Sequence, residues 1–195
     1  MTRGEWPRWI IARLDQGYRA LHALDAPAAQ VGPALCVEVH RSRRTLSLAD
    51  GTAVRRGDPV AILHLNNRRI AALHHEEGGQ RAVGLLFRRR FVDSLEALAA
   101  RARDGGDLAH LRAFAAVTVF GGLERVGFAE AAGDRLCWAR CVAAYQRGLL
   151  AALRPAGAAR PRLGTFTRAR RLWISRERLL ALHGPARARR AMPMG

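Results

Sequence analysis

The chain contains no lysine: all 33 of its basic residues are arginine. That absence excludes lysine Schiff-base chemistry, a pyridoxal phosphate anchored on an amine, the phosphate-binding lysine of a P-loop, and biotinyl or lipoyl attachment. Cysteine is nearly as scarce. Cys36, Cys137 and Cys141 are odd in number and none stands in a CxxC pair, so neither a disulfide framework nor a four-ligand zinc site is expected. Cys137 and Cys141 would share one helical face, but nothing nearby supplies two further ligands, and all three thiols are expected in the core. No apolar stretch approaches the roughly 20 residues of a membrane-spanning helix. The early cluster from Trp9 to Leu14 is interrupted by Arg13 and lacks a small-residue cleavage site. A cytoplasmic protein, soluble or peripheral to a membrane and without a cofactor, is the expectation.

What is present in excess is positive charge, +17 over 195 residues. Alanine, glycine and arginine rise together, as a GC-rich coding bias would cause, so part of this charge reflects composition rather than a partner. The remainder predicts attraction to nucleic acid, anionic lipid or acidic glycan at low salt. Nucleic acid ranks last of these, because no RRM, zinc-finger or helix-turn-helix pattern accompanies the charge. With 49% hydrophobic residues spread along its length, the chain can bury a substantial core. One domain over residues 1–184 is expected, followed by a disordered arginine-rich tail, 185–195.

Along the chain, Ile10, Leu14, Tyr18, Leu21 and Leu24 recur at helical spacing and predict an amphipathic helix docked on the core through that stripe. Trp6 and Trp9 beside Arg3, Arg8 and Arg13 would also suit a membrane interface, against which Asp15 and the narrow stripe weigh. A period of two then predicts strands at Cys36–Val39, Thr45–Leu48 and Val60–Leu65, separated by Asp50-Gly51 and Gly57-Asp58-Pro59 turns. The Gly-Asp turn before a strand also occurs in lipoyl-type barrels, a reading that fails without a lysine. Asn66 or Asn67 can cap a helix that Gly78-Gly79 stops. Phe87, Phe91, Leu95 and Leu98 write a longer one, ending near Asp104. Residues 113–120 read as a buried strand, Val126 to Glu130 as a return strand, and Asp134 as the cap of a third long helix lined by Trp138, Cys141 or Val142, Tyr145, Leu149 and Leu153. Arg171–Ile174 is the last strand, with Ser175 capping a final helix. Together these predict an α+β fold: a mainly antiparallel sheet of five or six strands covered by the amino-terminal helix and two long helices.

Three stretches, SLADGTAVRRGDPVAILHLNNRR, the FRRRFVDSLEAL helix with VTVF further on, and RRLWISRERLLALHG, resemble in the same order the YkoP-like family. These are bacterial domains found alone or fused to polysaccharide deacetylase modules. The resemblance implies a role near cell-envelope polysaccharide or glycolipid metabolism and transfers no catalytic residue. The deacetylase's metal-binding Asp and His motifs have no counterpart here, so deacetylation is not implied.

The candidate site lies at the end of the Val60–Leu65 strand, where alternation puts Val60, Ile62, His64 and Asn66 on one face. A neutral His64 imidazole beside Asn66 can accept a proton from a substrate hydroxyl while Asn66, Asn67 and the helix amides hold an anion. Arg68 and Arg69 can clamp phosphate or carboxylate. Glu38 and Asp58 are the available orienting carboxylates. The competing reading makes His64 the end of a sheet edge and Asn66 an ordinary helix cap. At the last strand, Arg171, Trp173, Ser175 and Arg176 combine a ring for stacking on a sugar with an anion site at a helix start. The competing reading there is a buried tryptophan and a cap. His74-His75-Glu76-Glu77 is not a metal site, because adjacent helical histidines diverge by about 100°. No serine stands in a GxSxG setting. An accessory domain binding an anionic glycan or lipid phosphate is the first expectation, and a transferase or hydrolase with His64 as base the second.

Overall fold

The computed structural model describes residues 8–67, 69, 72, 80–119, 121–134, 136–152 and 168–185. Arg68, the His74–Glu77 run, most of the arginine-rich connection before the last strand, and the tail from 186 lie outside the described residues.

The order begins with helix α1 (Arg8–Leu21) and a 3-10 turn at Pro27–Ala29, followed by strands β1 (Gln30–Val31) and β2 (Leu35–Arg41). A ribbon of β3 (Leu46–Ser47) and β4 (Ala53–Val54) precedes β5 (Pro59–Leu65), helix α2 (Gln80–Ala102) and β6 (Ala113–Thr118). After a 3-10 turn at Leu123–Val126 come α3 (Ala139–Ala152), β7 (Arg170–Ser175) and α4 (Arg176–His183). The sheet order is β1-β2-β5-β6-β7, antiparallel except for the parallel β5–β6 pair, so the fold is α+β with a mixed five-stranded sheet. A parallel neighbour requires a crossover connection, and α2 lies within the one between β5 and β6.

Alternation along the strands divides the sheet into two faces. Val37, Ala61, Leu63, Phe114, Leu172 and Ile174 point toward α2 and α4, where they meet Leu95, Leu98, Ala99, Ala102 and Leu179 in the main core. The opposite face carries Val60, Ala113, Ala115 and Trp173 under the β3–β4 ribbon, whose Leu46, Leu48 and Val54 are buried against it. That ribbon is an excursion between β2 and β5, pinched shut by two backbone bonds of Ser42, which donates from N to Asp58 O and accepts at O from Gly57 N, both at 2.8 Å. At Gly32, φ is +58° and an added Cβ would lie 2.7 Å from Ser94 Cα, so only glycine lets β1 approach α2 this closely. Ser94, fully buried there, accepts from Ala34 N at 2.8 Å.

Arginines act as fasteners between segments. Arg69 donates to Gly32 O, Arg101 to Gln30 O and Ala28 O, and Arg176 to Ala102 O, at 2.6–3.0 Å. A planar guanidinium offers several donors at fixed angles, so one side chain can hold two carbonyls.

Several expectations change. The strand Thr45–Leu48 belongs to a separate two-stranded sheet, and residues 126–130 supply only a single bridge, Ala129 to Trp173, after the 3-10 turn. Gly122 and Gly127, both left-handed, bracket that turn and keep the backbone from extending. α3 starts at Ala139 rather than at Asp134, whose carboxylate is taken by β7. Cys137, Cys141 and Trp138 are exposed, and only Cys36 is a core thiol. α1, finally, is rotated from the predicted stripe: Ile11 and Arg19 are buried while Leu14, Tyr18 and Leu21 face outward. The cause is its partner. α1 packs on α3, where Gly148 admits the tip of Ile11, and Asp15 turns inward to accept from Asn67 Nδ2 and Tyr145 Oη.

Candidate functional site

β2 reads Leu-Cys-Val-Glu-Val-His-Arg, and its alternation places Cys36, Glu38 and His40 on the sheet face away from α2. The register sets Cys36 opposite His64 and Glu38 opposite Ile62, so Glu38 and His64 are diagonal neighbours on that face. His22 arrives from the turn after α1. Three imidazoles therefore meet one carboxylate: Glu38 Oε1 lies 2.5 Å from His22 Nδ1 and 2.7 Å from His40 Nε2, and Oε2 lies 2.9 Å from His64 Nε2. The Tyr18 ring covers one side, its centroid 4.2 Å from that of His22 and 5.6 Å from that of His64.

The electrostatics follow from this crowding. Burial opposes the charge on Glu38, but hydrogen bonds from His22 and His64 outweigh it and hold its carboxyl below the usual range. The carboxylate is thus ionised near neutral pH; the His22 and His64 ring nitrogens donate to it, and His40 approaches as an ion-pair contact. Burial pushes the His64 imidazole below its ordinary value, against the opposing pull of Glu38. A neutral His64 bonded through Nε2–H leaves Nδ1 as the lone-pair nitrogen. Burial, then the Glu38 charge, raises the Tyr18 phenol to about 12. Among the described residues no group of three or more His, Cys, Asp and Glu is arranged to hold a metal ion.

The other residues singled out in the sequence do not gather around His64. Asn66 is buried, accepts from Arg69 N at 3.3 Å and donates to Gln30 Oε1 at 2.7 Å, which is the work of a helix cap. Asn67 bonds Asp15. Arg69 holds Gly32, and Arg68 lies outside the described residues. At the other edge, Trp173 is 7% exposed and donates its indole N–H to Asp134 Oδ2 at 2.7 Å, while Arg171 donates to Oδ1 of the same carboxylate at 3.1 Å. Ser175 caps α4 by accepting from Arg178 N and itself donates to Asp50. Arg176 holds Ala102 O and pairs with Asp104. Trp173 sits opposite Ala115, itself opposite Ile62, and two strand spacings put it roughly 10 Å from β5.

Glu38 was legible as an orienting carboxylate, whereas His22 and His40 were missed. The Glu-x-His spacing in β2 was a signal for His40, since i and i+2 share a strand face. His22 had none, because its position depends on how the turn after α1 meets β2. Elsewhere, Arg55, Asp58, His110 and Arg112 line an open groove of about 370 Å³ with Ala53 and Pro59.

No curated protein matches this chain, and no solved structure does. The model of the YkoP domain matches residues 6–183, which takes in every strand, the Glu38 cluster and the caps at Asn66 and Ser175. The chain belongs to the YkoP family.

Proposed function

We propose that this chain is a ligand-handling domain of cell-envelope metabolism that takes an anionic, hydroxyl-bearing glycan or a lipid phosphate beside the Glu38 cluster, with His64 as general base. The observation that carries the reading is the 2.9 Å contact from His64 Nε2 to Glu38. A carboxylate that fixes an imidazole through one nitrogen aims the other as a proton acceptor, and burial keeps that ring neutral and ready to accept. His22 and His40 add ring nitrogens that become donors to an anion when protonated. The nucleophile in this reading is a hydroxyl of the ligand or a water, and the reaction class is transfer or hydrolysis. The envelope context rests on the resemblance to domains fused to polysaccharide deacetylases.

Titration calorimetry of the wild type and H64Q with short-chain phosphatidic acid and with a uronate oligosaccharide tests this, set against phosphatidylcholine and a neutral oligosaccharide. Preference for an anionic member, weakened in H64Q and accompanied by shifts of the His22, His40 and His64 ring signals, supports the reading. Equal binding of charged and neutral members, or binding that leaves those signals unmoved, overturns it. A second reading, a domain that holds an anion without chemistry, is favoured by the groove between Arg55 and Arg112. In that case R55Q/R112Q, rather than H64Q, abolishes binding.

A further inference from the structure

α1 presents an apolar surface that its own fold uses only at Tyr18, whose ring lies against His22 and His64. Leu14, Tyr18 and Leu21 are 51%, 41% and 82% exposed, and at 100° per residue they fall within an arc of about 60°. Buried Ile11 lies only about 20° from Tyr18, so Tyr18 borders the packing face, whereas Leu14 and Leu21 stand about 60° and 80° away from Ile11. Trp9, 69% exposed, and Arg13, also exposed, stand beyond the outer edge of this strip.

The charge around the strip is one-sided. The only acidic residue of α1, Asp15, points inward onto Asn67 and Tyr145. The next acid along the chain, Asp25, is paired with Arg19. The exposed positions of the helix carry leucine, tyrosine, tryptophan, alanine, glycine, glutamine and one arginine, Arg13, with no exposed carboxylate, on a protein of net charge +17. That combination matches a surface that is apolar beneath and negative above, as an anionic bilayer is. Among the described residues no helix is long and apolar enough to cross a membrane, so the contact would lie in the interface plane.

We propose that the Leu14–Tyr18–Leu21 face of α1 docks this protein on an anionic lipid surface. Tyr18 connects that face to the histidine cluster, since its ring touches those of His22 and His64. Docking thus brings lipid headgroups beside His64, and of the two ligand classes above it selects the lipid phosphate. That selection rests on the proposed function; the docking itself rests on α1 alone.

Flotation with vesicles of phosphatidylglycerol mixed into phosphatidylcholine, against vesicles of phosphatidylcholine alone, is the test. The wild type is expected to float with the anionic vesicles and not with the neutral ones, and added salt weakens the association. L14Q/L21Q removes two exposed leucines, should retain the wild-type circular dichroism, and is expected to lower partitioning at least about tenfold. L85Q, which alters a leucine of α2 that is 69% exposed, is expected to float as the wild type does. Failure of the wild type to float, equal flotation with neutral vesicles, or retention of binding by L14Q/L21Q overturns the proposal. So does light scattering in which L14Q/L21Q converts a dimer to a monomer, because the face then covers a second copy. H64Q should float normally, so failure of the histidine site and failure of docking are read separately.

Discussion

Replacing Glu38 by glutamine tests the histidine cluster most directly. The carboxylate is 12% exposed and accepts hydrogen bonds from His22 and His64 at 2.5 and 2.9 Å, with His40 Nε2 a further ion-pair contact at 2.7 Å. Glutamine keeps one acceptor oxygen and puts an NH2 group where the other stood, so at least one ring N–H then faces a donor. A hydrogen bond to a charged group contributes about 1.5–3 kcal/mol. His22 and His40 are 28% and 38% exposed, and solvent reduces their shares to roughly half of that. Loss of the charge at both bonds and at the His40 contact, with one neutral bond retained, gives a destabilisation of about 2–4 kcal/mol near pH 7. Urea denaturation of the wild type and E38Q measures it. The pH dependence is fixed in sign: Glu38 has a folded pKa below its unfolded value, so its contribution is complete above about pH 4.3 and is lost as pH falls through the folded pKa. The gap between wild type and E38Q should therefore close in acid. A gap smaller than about 0.5 kcal/mol near pH 7, or one that does not narrow in acid, would refute the cluster as a set of charge-assisted bonds.

Other consequences can be measured on the same protein. His64 resists protonation when folded and not when unfolded, so stability should fall as pH drops below about 6.5, and that slope should be shallower in H64Q. G32A forces a side chain into left-handed backbone against Ser94 Cα, and thermal unfolding should show a loss of roughly 2–4 kcal/mol, whereas G51A, strained but open to solvent, should lose less. D134N leaves Arg171 and the Trp173 indole sharing a neutral partner in a nearly closed site; a loss of about 1–3 kcal/mol with altered tryptophan fluorescence is expected, and an unchanged spectrum would contradict that bond. S175A removes both the cap of α4 and the bond to Asp50, and chemical denaturation should register about 1–2 kcal/mol.

The strands and long helices could be read where local pattern and tertiary demand agree. β5 alternates as its residues require, α2 follows Phe91, Leu95 and Leu98, and Ser175 caps where a serine after a strand is expected to. The failures share a different cause. The face of α1 was misassigned because Leu14, Tyr18 and Leu21 form the more apolar stripe, yet a close approach to Gly148 turns Ile11 inward and Asp15 gains two donors there. Asp134 has the composition of a cap, but a guanidinium and an indole 37 and 39 residues further on compete for it. In the candidate site, the His64–Asn66 pair was visible from spacing alone. Their separation into a histidine bonded to Glu38 and an asparagine bonded to Gln30 depends on which strand lies beside β5, a long-range fact that no single segment encodes.

The arginine fasteners also decide how the native protein meets trypsin. In a lysine-free chain that protease can cut only after arginine, so each of its sites is a residue whose side chain must be free to enter a foreign pocket. Arg101 and Arg176 would first have to release the backbone carbonyls that they hold between α2, the turn before β1 and α4. Arg43 and Arg44, exposed at the bend where the β3–β4 ribbon leaves β2, carry no such engagement with another segment. A native nick there falls in an excursion whose severed ends remain held by the full register between β2 and β5.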